Sequence, residues 1–162
     1  GVQRMIRQRA LVRKLPAVET LGCATVICSD KTGTLTENKM TVTAVWSGGR
    51  QWEVTGSGHR PQGNFIQNGK KHHPVRDPEL RQMLLFGMLC NNAEIVKGAT
   101  EFDIQGDPTE GALLICGMKA GFDKKELLED FRIIHEFPFD SNRKMMSVVV
   151  ENERGERFVV TK

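Results

Sequence analysis

The apolar and polar positions change their spacing along the chain, and each spacing predicts a different element. Residues 24–30 form an apolar, β-branched run without alternation, which is typical of a parallel strand buried on both faces. Two further runs, "MTVTAVWS" and "QWEVTG", flank Gly48 and Gly49. A pair of glycines tolerates the positive φ angles of a tight turn. We therefore expect a buried strand first and a β-hairpin after it.

Helix signals follow a stretch that is typical of a loop. Residues 57–78 are rich in Gly, Pro, Asn, Gln and Lys, with at most a short strand at "NFIQ". Asp77 and Asp107 then stand at helix-cap positions, each before a proline and an apolar run at helical spacing. Glu110 occupies the capping-box position and Gly121 the stop of the second helix. "FDKKELLEDF" predicts a third, short helix.

Three strand-like runs end the chain, and they decide the predicted fold class. They are "RIIHEFPF", "MMSVVVEN" and "RFVVTK", joined by the short polar segments "DSNRK" and "ERGE". The pattern thus changes from one strand of parallel type to an antiparallel sheet with helices. This change predicts an α+β fold and a domain boundary near residues 37 to 41.

Composition is that of a folded globular protein, with 39% hydrophobic and 27% charged residues among 162. The longest apolar stretch, "MLLFGMLC", is too short to cross a bilayer, and no secretory signal opens the chain, so we expect a soluble polypeptide. The cysteines lie in apolar contexts and the histidines are scattered. We expect buried reduced thiols and solvated histidines. These residues are Cys23, Cys28, Cys90, Cys116, His59, His72, His73 and His135.

Positive charge is concentrated at the start of the chain. Residues 1–15 carry +5, whereas the remaining residues carry −2 of the net +3. The apolar residues among these cations predict a basic helix that ends before Pro16. Three interpretations remain open from the pattern: a solvated helix face, a nucleic-acid patch, or the cytoplasmic end of a transmembrane helix.

The stretch "ICSDKTGTLT" carries the candidate chemistry. Ligand sites in open α/β sheets collect at the carboxyl ends of strands, where Asp30 is expected. A carboxylate there can attack phosphorus and form an acyl phosphate. Such a transfer needs positive charge, hydrogen-bond donors and a divalent cation, and Lys31, Thr32, Gly33 and Thr34 supply the first two. The alternative is an aspartate that only caps the following turn.

"DKTGTLT" resembles the phosphorylation signature of the P-type ATPases. The longer block "LVRKLPAVETLGCATVICSDKTGTLTENKMTV" is similar to the type IIA calcium-transporting members: the sarcoplasmic-reticulum, secretory-pathway and bacterial pumps. Later blocks, "GDPTEGALL" and "FPFDSNRKMMSVVV", resemble nucleotide-domain motifs of the same pumps, in the same order. The chain is therefore identified as a member of this family.

The resemblance implies roles for the residues of the signature. Asp30 would be the phosphorylated carboxylate, Lys31 would contact the phosphoryl group, and Thr32 would help to hold it. Asp30 and the backbone carbonyl of Thr32 would bind Mg²⁺ at a site that this chain leaves incomplete. Related haloacid-dehalogenase-type phosphatases carry a second acid at the position of Thr32. Its absence predicts an acyl phosphate that hydrolyses slowly on its own.

The resemblance also implies an ATP site in the later part of the chain. Phe139 would stack on adenine, and Glu110 would lie on the adenine side of the pocket. Lys144, with Arg143 nearby, would approach the phosphates, and Lys162 would line the same pocket. The pattern alone permits structural roles instead: a core phenylalanine, a helix-capping glutamate and a solvated turn cation.

The resemblance divides the chain into three parts. Residues 1–15 would be a basic stalk helix that follows a transmembrane segment. Residues 16–39 would be the first part, with the first strand, of a haloacid-dehalogenase-like phosphorylation domain. Residues 40–162 would be a nucleotide-binding domain truncated at its C-terminal side. One departure is Ser141, where the sarcoplasmic-reticulum members have arginine, so a phosphate contact is absent or supplied differently.

The implied protein is a fragment from the cytoplasmic face of an integral membrane pump. Its partners would be ATP and the remainder of the pump, with its actuator and transmembrane domains, and no nucleic acid. By itself the fragment is expected to bind nucleotide without turnover. Two other function classes remain: a nonenzymatic nucleotide-binding module, and an aspartyl phosphatase or phosphotransferase. The last predicts an acid at position 32, where the chain has threonine.

Overall fold

The structure, a computed structural model, describes residues 2–9, 15–97 and 102–162. The chain divides into two compact units, Gly1–Glu37 and Asn38–Lys162. No helix in the described ranges is long and apolar enough to cross a membrane.

The first unit opens with two short helices, α1 (Val2–Arg7) and α2 (Leu15–Gly22). Helix α1 confirms part of the predicted basic helix; its continuation through residues 10–14 lies outside the described residues. The basic helix was predicted to end before Pro16, and a second helix that was not predicted, α2, contains Pro16 as its second residue. Proline is tolerated there, since the first N–H groups of a helix have no intrahelical partner.

Residues 24–30 do not form the predicted strand. They have no regular secondary structure, and the side chains of Val26 and Ile27 are 76% and 85% exposed. A parallel strand is stable only when neighbouring strands satisfy its backbone groups and helices cover its faces. The described part of this unit contains no other strand, so the apolar run has nothing to pair with. The predicted first strand of the phosphorylation domain is therefore absent from this structure.

The second unit begins with an antiparallel four-stranded sheet in the order β1-β2-β3-β4. The predicted hairpin is confirmed: Val45 pairs with Trp52, and Gly48 and Gly49 form the turn with φ of 58° and 70°. The predicted strand at "NFIQ" is confirmed as β3, and β4 was not predicted. The bounds are β1 Ala44–Ser47, β2 Arg50–Val54, β3 Phe65–Gln67 and β4 Lys70–His72.

Three predicted helices follow, and Asp77 and Asp107 cap the first two as the sequence indicates. The helices are α3 Pro78–Leu89, α4 Pro108–Lys119 and α5 Lys124–Asp130. The carboxylate of Asp77 accepts a hydrogen bond from the N–H of Leu80 at 3.0 Å, and the carboxylate of Asp107 accepts one from the N–H of Thr109 at 2.8 Å. Gly121 ends α4 with φ of +90°, a left-handed conformation that glycine adopts without strain.

Two antiparallel sheets complete the unit. The ribbon β5-β6 was not predicted, whereas the sheet β7-β8-β9 was. The bounds are β5 Glu94–Lys97, β6 Phe102–Gln105, β7 Phe131–Asp140, β8 Met145–Asn152 and β9 Arg157–Thr161. The sheets and helices confirm the α+β class.

Helix α3 lies at the centre of the core of the second unit. Its Leu80 and Leu84 pack with the first sheet and α4, around the buried Trp52. Its Leu85 and Met88 pack against α4, α5 and the β5-β6 ribbon. Cys90, at the end of α3, packs against β8 and β9. One helix thus joins the three sheets into a single hydrophobic core.

The predicted burial of the cysteines was half right. Cys90 and Cys116 are buried and free, whereas Cys23 and Cys28 are free and exposed, and Cys28 lies in the run that forms no strand. His59 is 7% exposed, so the prediction of a solvated histidine was wrong at that position.

Candidate functional site

In the first unit, the signature forms one wide turn directly after Asp30. The N–H of Thr36 donates to the carbonyl of Lys31 at 3.1 Å, and Gly33 takes φ of 75° inside this turn. Asp30 accepts the N–H of Thr32 at 3.4 Å. Asp30, Lys31 and Thr32 are all exposed. Asp30 therefore does cap the turn, and its carboxylate is still accessible to a ligand.

The oxygens of this turn suit Mg²⁺ in chemical type. Mg²⁺ prefers carboxylate and carbonyl oxygens, and in phosphoryl-transfer sites one or two carboxylates hold it together with water and substrate phosphates. Asp30 and the backbone of Thr32 are donors of this kind. The described residues hold no group of three or more His, Cys, Asp or Glu side chains placed for a metal. Asp30 and the Thr32 backbone thus offer oxygens of the kind that Mg²⁺ binds, as part of a site that this chain leaves incomplete.

In the second unit, Phe139 lies on β7 and Lys162 directly follows β9, and these two strands flank β8. Phe137 on β7 pairs with Ser147 on β8. Met146, the preceding residue of β8, exchanges two backbone hydrogen bonds with Lys162, at 2.9 and 3.0 Å. Phe139 follows near the end of β7, and its side chain is 63% exposed. It is therefore not a core residue.

The turn from β7 to β8 holds the two predicted cations. A carboxylate oxygen of Asp140 accepts the N–H groups of Asn142 at 2.8 Å and Arg143 at 2.9 Å. These backbone hydrogen bonds lower the pKa of Asp140, and the bond from Arg143 has the larger effect. Lys144 has φ of 56° and donates its N–H to the Asp140 carbonyl at 2.7 Å. Arg143 and Lys144 are exposed on a turn whose backbone is fixed.

Glu110 and Lys162 form an ion pair, which joins the first turn of α4 to the end of β9. Their side chains are only 15% and 28% exposed. The second carboxylate oxygen of Glu110 accepts the N–H of Asn92 at 3.0 Å. The predicted capping box was therefore wrong: the carboxylate bonds Asn92 and Lys162, and Asp107 caps the helix by itself.

Asn92 also bonds to Glu110, although no pattern in the sequence marks it. Its side-chain amide donates to Glu136 on β7 at 2.8 Å, in addition to its backbone bond to Glu110. A loop asparagine after a helix has no spacing that marks such a contact. Only the packing of α3, α4 and β7 against one another brings Asn92 to the carboxylate of Glu110.

A separate cleft of about 510 Å³ opens in the second unit beside the last strand. Its lining is apolar apart from Thr161 and Lys162, and includes Val42, Leu84, Phe86 and Val159. Phe139, Glu110 and Lys144 do not line it. Of the residues predicted to contact nucleotide, the cleft therefore shares Lys162 alone.

A family model describing the P-type ATPase cytoplasmic domain N matches residues 79–162. The chain belongs to the P-type ATPases. The matched segment includes α3, α4 and the sheet β7-β8-β9, and thus every residue predicted to contact nucleotide.

Relatives among the P-type ATPases align with nearly the whole chain. The "Calcium-transporting ATPase" of Bacillus subtilis is 59% identical over 162 residues, 100% of this chain and 18% of the relative. The "Cation-transporting ATPase pma1" of Synechocystis is 44% identical over 158 residues, 94% of this chain and 18% of the relative. The human "Calcium-transporting ATPase type 2C member 1" is 46% identical over 149 residues, 91% of this chain and 16% of the relative. The chain thus spans less than a fifth of the length of these pumps.

Proposed function

We propose that this chain carries the ATP-binding site and the phosphorylated aspartate of a calcium-transporting P-type ATPase. ATP binds the second unit and phosphorylates Asp30 in the intact pump. Membership of the family, the "DKTGTLT" signature and the names of the calcium-transporting relatives support this proposal. The pump is a membrane protein with this chain on its cytoplasmic face, and the remainder of the pump is its partner.

The observation that carries the ATP site is an exposed aromatic ring beside a set of cations. Phe139 leaves 63% of its surface exposed. Lys144 follows on the adjoining turn, and Lys162 lies on the other side of β8. Adenine stacks on an aromatic face with a gain of about 1–3 kcal/mol per base. The ammonium groups are suited to the triphosphate, and the Glu110 carboxylate offers an acceptor for the adenine amino group.

The chemistry at Asp30 follows from an accessible carboxylate. One carboxylate oxygen attacks the γ-phosphorus of ATP, the bond from that phosphorus to the bridging oxygen breaks, and ADP leaves. The Lys31 ammonium and the backbone of the wide turn stabilise the charge on the equatorial oxygens. Asp30 and the Thr32 carbonyl would hold Mg²⁺, which would supply positive charge against the phosphate oxygens. Because position 32 is threonine, no side chain there acts as general acid or base toward water.

The first experiment is a calorimetric titration of the 162-residue chain with MgATP, beside Phe139→Ala. Loss of about 1–3 kcal/mol of stacking raises Kd roughly 5- to 150-fold. Phe137→Ala is the matched control, because Phe137 is also an exposed phenylalanine of β7 and its ring packs edge to face on His135. We expect this control to bind MgATP as the parent chain does. Equal affinity of all three proteins would contradict the site.

The phosphorylation step is tested in the full-length pump. Incubation with γ-labelled ATP should label the protein when Ca²⁺ is added, and hydroxylamine should release the label, as it does from acyl phosphates. Asp30→Asn should abolish the label, because an amide does not attack phosphorus. Label that survives this substitution would assign the phosphate to another residue. Label that forms without regard to Ca²⁺ would point to another ion.

A further inference from the structure

The loop between α3 and β5 is fixed to two helices by one buried side chain. Asn91 is 4% exposed. Its amide donates to the carbonyl of Gly87 on α3 at 3.2 Å and to the carbonyl of Glu110 on α4 at 2.9 Å. Its amide oxygen accepts the N–H of Ala93 at 3.0 Å. Every polar group of this side chain is used, so the loop has a defined position relative to α4.

Lys124, the first residue of α5, holds the same loop from the other side. Its ammonium donates to the carbonyls of Asn91 at 2.7 Å and Ala93 at 3.0 Å, the two residues that flank Asn92. Burial lowers the pKa of Lys124, and the nearby carboxylates of Glu110 and Glu94 oppose that effect. A half-buried ammonium is thus bound to two backbone oxygens and lies in the field of the carboxylate of the candidate site.

Between these two carbonyls, the Asn92 N–H donates to one carboxylate oxygen of Glu110, and Lys162 binds the other. The direction of the Asn92 N–H depends on the two peptide groups that Lys124 holds. A carboxylate that is only 15% exposed keeps one orientation through its hydrogen-bond donors. Loss of the Asn92 donor would leave Glu110 free to rotate, and Lys162 would move with it.

We propose that Lys124 is a positioning residue for the ATP site: by fixing the loop around Asn92 it sets the orientation of Glu110, and through Glu110 that of Lys162. This inference rests on the proposed function, in which both residues contact nucleotide. Lys124 itself donates to backbone oxygens and touches neither of these side chains. Its hydrogen bonds therefore act on the site through the loop, and its charge acts on Glu110 through space.

The chain offers a matched control in Lys119. Its ammonium also donates to two loop carbonyls, those of Thr55 at 2.9 Å and Gly56 at 3.2 Å. Its pKa is likewise lowered by burial. Its loop, however, belongs to the first sheet and makes no contact with Glu110 or Lys162. Lys119→Met and Lys124→Met therefore each remove an ammonium that donates to two carbonyls of one loop, and of the two lysines only Lys124 also lies in the field of Glu110.

The test measures MgATP affinity by calorimetry and the amide proton shift of Asn92 by NMR. Lys124→Met should raise Kd about tenfold, the equivalent of one charge-assisted hydrogen bond, and should move the Asn92 amide proton upfield. Lys119→Met should leave both unchanged. Glu110→Gln should move the same amide upfield. Lys124→Met should then raise Kd by a smaller factor in the Glu110→Gln background than in the parent chain, because Lys124 acts on the site through Glu110.

The outcomes separate this inference from the function on which it rests. If the parent chain fails to bind MgATP, or Phe139→Ala does not weaken binding, the proposed function fails, and the Asn92 amide still reports on positioning. If Phe139→Ala weakens binding but Lys124→Met changes neither Kd nor the amide shift, the inference is overturned. Equal losses in both lysine variants would also overturn it, as a general effect on stability. Lys124→Gln is used with the same criteria if the methionine variant does not fold.

Discussion

Replacing each of two helix glycines by alanine should change the free energy of unfolding in opposite directions, because the space around one is open and the other lies against a strand. A Cβ added at Gly87 on α3 has no heavy atom within 4 Å. A Cβ added at Gly111 on α4 would lie 2.9 Å from Cγ1 of Ile104 on β6 and closer still to its Cγ2. Ile104 is β-branched and packs in the core, so its side chain has few rotamers to retreat into.

The sign of the stability change at each position depends on whether the gain in helix propensity exceeds the cost of the added methyl group. Alanine is favoured over glycine in a helix interior by about 0.8–1 kcal/mol, and both variants gain this term. At Gly87 nothing opposes it, so we expect a gain of roughly 0.5–1 kcal/mol in the free energy of unfolding. At Gly111 the added methyl overfills the contact between α4 and β6, at a cost of about 1–3 kcal/mol. The Gly111→Ala variant should therefore be the less stable of the two by roughly 1–3 kcal/mol.

Urea denaturation followed by tryptophan fluorescence measures both variants. Trp52 is 2% exposed in the core of the second unit, so its emission reports on unfolding of the unit that contains both glycines. The midpoint should rise for Gly87→Ala and fall for Gly111→Ala, with unchanged slopes. Equal midpoints for the two variants would refute the reasoning, since they would show that α4 does not approach β6 as closely as the structure has it.

Two further predictions concern a helix cap and the thiols. Asp107→Ala should lower the free energy of unfolding by about 1 kcal/mol at pH 7. Hydrogen bonds from Thr109, above all from its hydroxyl group, lower the pKa of Asp107 in the folded state. The stabilisation by this cap is therefore present above the unfolded pKa of about 4 and is lost as pH falls through the folded pKa. A difference in unfolding free energy between Asp107→Ala and the parent chain that stays constant down to pH 2 would contradict this. Burial raises the pKa of Cys116 to about 11, so iodoacetamide at pH 8 should label Cys116 only on unfolding, as mass spectrometry would show. The exposed Cys23 and Cys28 should react first, and equal rates for all of these thiols would contradict the fold.

Local signals in the sequence were sufficient for most elements of the second unit. Asp77 and Asp107 cap α3 and α4, because a carboxylate before a proline satisfies helix N–H groups by itself. Gly48 and Gly49 form the hairpin turn for an equally local reason, since their positive φ angles need no tertiary contact. The family followed from a motif in the same way, because "DKTGTLT" is contiguous in the chain.

Contacts between distant parts of the chain decided what local signals could not. Residues 24–30 have the composition of a buried strand, yet a strand depends on partners, and the described part of their unit supplies none. Glu110 has the spacing of a capping-box residue, but its carboxylate binds Lys162, 52 positions away. Asn92 contacts Glu110 through its own backbone N–H, and Lys124 donates to backbone carbonyls of the same loop; backbone atoms are present in every residue, so no side-chain pattern marks such contacts. The sequence by itself therefore determined the family, the caps and the turns, and only the tertiary structure decided which donors hold the carboxylate of Glu110.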